Sequence, residues 1–203
     1  MSNLDKALAE ITAIRAQMAR ASTFRGFGPL TFAATALLAV LAAEAQEHGL
    51  PHPAAHVETW LALWVGAAGL SALMVGIEMV TRSRRLHSEL AESMIWAAIE
   101  ALLPAGVAGA ALTVVLVLYA PQSLWMLPGL WQIVFGLGLF AACRVLPRSL
   151  MLAAAFYVAC GLACLALASG ANAFSPWAMG APFGAGQALI AVLLQRGLSD
   201  AND

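Results

Sequence analysis

Six predominantly apolar runs, each about as long as the 20 residues a helix needs to cross roughly 30 Å of hydrocarbon, constrain this chain more than any other feature. They extend from Gly26 to Ala45, Thr59 to Thr81, Met94 to Ala120, Leu124 to Cys143, Leu150 to Ser169 and Trp177 to Gln195. Within a bilayer no water can satisfy backbone amides, so a continuous apolar run of this length folds as a helix. The fold class expected is therefore an all-α integral membrane protein, a bundle of six transmembrane helices. Three helical hairpins are one arrangement of it.

The basic residues orient the bundle, because Lys and Arg in short loops stay cytoplasmic during insertion. Lys6, Arg15, Arg20 and Arg25 precede the first run, and Arg82, Arg84 and Arg85 follow the second. Arg144 and Arg148 follow the fourth run and Arg196 follows the sixth, which completes the chain's ten basic residues. The alternate loops, Gln46 to Glu58, Pro121 to Ser123 and Gly170 to Pro176, carry neither Lys nor Arg. Six crossings with both termini in the cytoplasm is the simple topology that gives this partition. Abundant Ala, Leu and Gly suits a bacterial chain of high coding GC content, so the membrane expected is the bacterial inner membrane.

Composition excludes several classes of function. With 62% hydrophobic and 10% charged residues, the chain departs far from the roughly 25% charged usage of soluble domains. A net charge of -1 and the lack of any basic run interleaved with aromatics speak against a nucleic-acid partner. Three cysteines, Cys143, Cys160 and Cys164, all lie in apolar stretches, which is the wrong setting for a disulfide framework. No nucleophile elbow, Walker loop, dinucleotide fingerprint or HExxH pattern occurs, and no enzymatic activity is expected.

Three parts of the chain are expected as domains: an amphipathic helix over residues 1–25, the six-helix domain over 26–196 and a short cytoplasmic tail over 197–203. In the first, Leu4, Ala7, Ile11, Ile14 and Met18 recur at spacings of three and four, giving a narrow apolar seam flanked by charge. Such a helix suits either the inner lipid surface or a cytoplasmic protein partner, including a second copy of the chain. Within the spans, Gly180 and Gly184 form a GxxxG pair, and Gly106 and Gly109 belong to small-xxx-small pairs. Gly66 and Gly69 follow Trp64 in the second span. Small residues at such spacings let helix backbones approach closely.

Two groups of residues are candidates for chemistry. Glu78 and Glu100 lie within spans, where a carboxylate costs a few kcal/mol unless it is protonated, paired or hydrated. Placed at comparable depths on adjacent helices, they form a candidate proton or cation site, although Glu78 also stands four residues before Arg82, the spacing of an ion pair. The outer loop holds His48, His52 and His56 with Glu44, Glu47 and Glu58. Those donors suit a divalent transition metal or a pH sensor, whereas Gly49, Pro51 and Pro53 break any helix that would align them. Gln132 and Gln187 are expected to hydrogen-bond across helices. These features point to a membrane-embedded binding or regulatory module, with a small proton- or cation-coupled transporter as the alternative.

Overall fold

The computed structural model of the 203-residue chain describes residues 28–86, 89–167 and 172–199. Leu4, Ala7, Ile11, Ile14 and Met18 fall outside the described residues. Six long helices account for most of the rest: α1 (Pro29–Gly49), α2 (Val57–Leu86), α3 (Glu89–Tyr119), α4 (Leu127–Ala142), α5 (Met151–Leu167) and α6 (Trp177–Ser199). Short 3-10 segments at Pro121–Met126 and Arg148–Leu150 introduce α4 and α5. All six helical units are long and apolar enough to cross a membrane, and no strand occurs among the described residues.

Prolines set several helix starts. Pro29 opens α1 directly after the extended Gly28, and Pro121 opens the 3-10 turn before α4, where Pro128 occupies the first α-helical turn. A first-turn proline costs no hydrogen bond, because its missing N–H has no intrahelical partner in any case. The run from Leu124 to Cys143 is thus a 3-10 turn followed by an α-helix rather than one uniform helix. Pro104 and Pro182, by contrast, lie inside α3 and α6.

The closest helix pairs are α4 with α5 and α1 with α6, so the strongest seams join different hairpins instead of lying within them. Glycine explains both. A methyl group on Gly129 would sit 2.7 Å from the Gly161 carbonyl oxygen, and one on Gly161 would sit 2.6 Å from that of Gly129. The two backbones meet where neither residue has a side chain. On the other seam, Gly180 faces Ala43 and Gly184 faces Val40 and the Ala36 carbonyl of α1. Among helices consecutive in the chain α2 and α3 touch each other least, and Gly66, Gly69 and Gly106 on them have open space where a Cβ would stand. Gly109 would make only ordinary contact, with Trp131 at 3.8 Å.

Two side-chain cores fill the bundle, one in each half of its length. The half nearer the arginine-bearing helix ends is built around Tyr157, Leu139, Leu150 and Ile190, with Met79 and Ala98 reaching in from α2 and α3. Tyr157 seats its ring against Gly186 and lies edge-on to Phe135, with ring centroids 4.8 Å apart. The opposite half is built around Trp60, Trp64, Leu127, Phe174 and Met179.

Candidate functional site

At the end opposite the arginines, five aromatic and two amide side chains join segments remote in sequence. Trp60 and Trp64 stand one turn apart on α2 and therefore share its inward face. Trp60 is completely buried, stacks on Trp131 of α4 at 5.6 Å and 7°, and meets the ring of Phe174 edge-on at 5.1 Å. Trp131 in turn donates its indole N–H to Thr113 of α3 at 2.9 Å.

Gln46, near the end of α1, holds this cluster shut. Its Oε1 accepts the Trp64 indole N–H at 2.7 Å, and its amide donates to the Phe174 carbonyl at 2.6 Å. One buried amide thus ties α1 to α2 and to the α5–α6 connection, using one donor and one acceptor. Gln132 makes a similar link, donating to the Ala178 carbonyl of α6 at 2.7 Å. Phe174 adopts φ 62°, a left-handed conformation that a bulky residue adopts at a cost of about 1–3 kcal/mol. The ring contact with Trp60 and the carbonyl bond to Gln46 hold it there. At the rim, Trp177 donates to Glu47 Oε2 at 2.6 Å, a second clasp between α1 and α6.

Gln46→Leu keeps the volume but leaves the Trp64 N–H and the Phe174 carbonyl without their partner. A loss of about 1–2 kcal/mol is expected. Trp64→Phe in the Gln46→Leu background removes one orphaned group, so the double variant should cost less than the sum of the single ones in a denaturation cycle.

The sequence-derived candidates are distributed differently. His48 Nδ1 lies 2.9 Å from the Glu44 carbonyl oxygen and 3.6 Å from Glu44 Oε2, in an exposed pair one helical turn apart. His52, His56 and Glu58 are exposed, and Glu47 is engaged by Trp177. Among the described residues no group of three His, Cys, Asp or Glu side chains is placed to hold a metal ion. Cys143, Cys160 and Cys164 are free thiols of intermediate burial.

Glu78 and Glu100 have unlike surroundings. Glu78 accepts a hydrogen bond from Arg82 Nε at 3.0 Å, and its side chain is 18% exposed. Its carboxylate occupies the space that a Cβ on Gly28 would need, at the N-terminus of α1. A negative charge is favoured there by the unpaired N–H groups and the dipole of the helix. Glu100 is exposed on the surface of α3 and makes no hydrogen bond or ion pair with a described residue.

Sequence reasoning identified Gln132 and Gln187 as inter-helix amides, and Gln187 Oε1 does receive the Thr35 hydroxyl of α1 at 3.3 Å. It missed Gln46, Trp60 and Phe174. The available signal was Gln46, an amide one residue beyond an apolar run, paired with two tryptophans at i and i+4 in the next run. No protein-family model matches this chain, and neither a curated protein nor a solved structure is significantly similar to it.

Proposed function

We propose that the chain is a multi-pass protein of the bacterial inner membrane, with both termini cytoplasmic, that works as a non-enzymatic binding or regulatory module. In this reading the bundle anchors and positions the N-terminal amphipathic helix, which engages a cytoplasmic protein or a second copy, and nucleic acid is not a partner. The observation that carries it is the packing between helices at both ends of the bundle. Both halves of the bundle are filled by contiguous cores that include the fully buried Trp60 and Tyr157. The candidate ionisable pair also fits a module better than a conduit. Glu78 is held by Arg82 beside α1, while Glu100 faces outward from α3.

Transport through Glu78 and Glu100 is the competing reading, and proteoliposomes separate the two. The module reading expects Glu100→Gln to leave stability and pH-gradient-driven flux at wild-type levels, since an amide keeps the volume of an exposed group that no described residue hydrogen-bonds or pairs with. A flux present in the wild type and lost in Glu100→Gln would establish the transporter instead. For the N-terminal helix, a photocrosslinker at Ile14 should give a discrete protein adduct that Ile11→Asp abolishes. Adducts with lipid alone would reduce the helix to a membrane anchor.

A further inference from the structure

A groove of about 450 Å³ lies between α1 and α2 at the arginine-bearing end. Leu30, Ala34, Met74 and Ile77 form its apolar walls, and Thr31, Thr81 and Glu78 make its polar part. Arg82 stands beside Glu78, one turn nearer the helix end, with its side chain 42% exposed. Their contact is a single hydrogen bond from Nε to Oε1. The Arg82 terminal nitrogens and Glu78 Oε2 make no hydrogen bond to any described residue.

Among the described residues that leaves a guanidinium fork with donors to spare and a carboxylate oxygen with acceptor capacity, side by side at the end of an open apolar groove. Arginine forks match phosphate oxygens, and a carboxylate accepts N–H donors from an ammonium group. A ligand that presents phosphate and ammonium a few bonds apart, joined to hydrocarbon, complements all three surfaces. Aminophospholipid headgroups have this structure.

We propose that the groove between α1 and α2 binds one aminophospholipid of the inner leaflet. Its phosphate lies on Arg82, its ammonium on Glu78, and an acyl chain runs along Ala34, Met74 and Ile77. Close approach at Gly28 serves this arrangement, because the absent Cβ lets the Glu78 carboxylate sit against the start of α1 without leaving the groove. The inference rests on reading the bundle as bilayer-spanning, and it adds a ligand class to the proposed module.

Native mass spectrometry of the full chain in detergent, titrated with phosphatidylethanolamine, phosphatidylcholine and phosphatidylglycerol, tests it. One phosphatidylethanolamine per chain should be retained about tenfold over phosphatidylcholine, the ratio expected for one charge-assisted N–H contact that a quaternary amine cannot make. Glu78→Gln should erase that preference yet keep phosphatidylcholine binding, and Arg82→Gln should weaken both lipids together. Ala34→Leu preserves the ion pair but fills the groove, and it should exclude both. Equal retention of the two lipids by the wild type would overturn the proposal, as would a preference that survives Glu78→Gln. If Glu78→Gln fails to fold, phosphatidylethanolamine retained by Ala34→Leu would overturn it. Alkaline extraction of the same membranes separates the two levels of the reading. Release of the chain would defeat the bilayer-spanning reading, whereas membrane retention without lipid preference would defeat the groove alone.

Discussion

Gly161→Ala is expected to destabilise the bundle by about 1–3 kcal/mol, the range for overpacking a well-filled site. The added methyl would lie 2.6 Å from the Gly129 carbonyl oxygen and 3.0 Å from the Ile133 amide nitrogen. Both are backbone atoms of α4, so no side-chain rotation relieves the clash and α5 must move away. Movement at that point also disturbs Gly136, where a methyl would stand only 2.8 Å from the Ala154 carbonyl. A leucine at Gly161 should prevent the folded bundle from forming. By contrast, Gly69→Ala meets nothing within 4 Å and should be neutral or slightly stabilising, since alanine is the better helix former. Reversible denaturation in mixed micelles, read by tryptophan fluorescence, checks the contrast. Equal effects at Gly161 and Gly69 would contradict the proposed seam.

Trp60→Ala is expected to cost on the order of 3 kcal/mol. Lipid is as apolar as a side chain, so little transfer free energy is lost within a bilayer, and the cost comes from the contacts forfeited around the cavity. Those contacts include the stack on Trp131 and the edge contact with Phe174. Loss of the latter should also release the strained Phe174 conformation. Trp60→Phe is the informative control. The Trp60 indole N–H is buried without a hydrogen-bond partner among the described residues, so the smaller ring removes an unsatisfied donor along with some packing. It should therefore cost much less than Trp60→Ala. Equal losses would mean that ring stacking contributes little and that the opposite end of the bundle is held mainly by its hydrogen bonds, those of Gln46 among them.

The six helices were legible in the sequence because hydrocarbon thickness imposes a length that composition alone can satisfy. The run starting at Trp177 and the helix α6 begin at the same residue, and most other ends agree within a few residues. The seams between helices were less legible. The Gly180 and Gly184 pair stood out as a local motif, whereas Gly129 and Gly161 belong to different helices and meet only in three dimensions. Gln46 and Phe174 are separated by 128 positions, so their bond leaves no local pattern. Tryptophan favours the membrane interface in any multi-pass protein, and that general preference hides the tryptophans buried in a core. Glu78 was legible as an ion-pair partner of Arg82, but its approach to Gly28 was not.

The most direct test of the account is the side of the membrane on which each end of the chain lies. Reporter fusions active only in the cytoplasm should work at both termini, and reporters active only outside should work when inserted at Ala54, between α1 and α2. The partition of all ten basic residues onto alternate connections predicts this result. An externally active reporter at the C-terminus would contradict six crossings, and with them the proposed placement of Arg82, Glu78 and residues 1–25 on the cytoplasmic side.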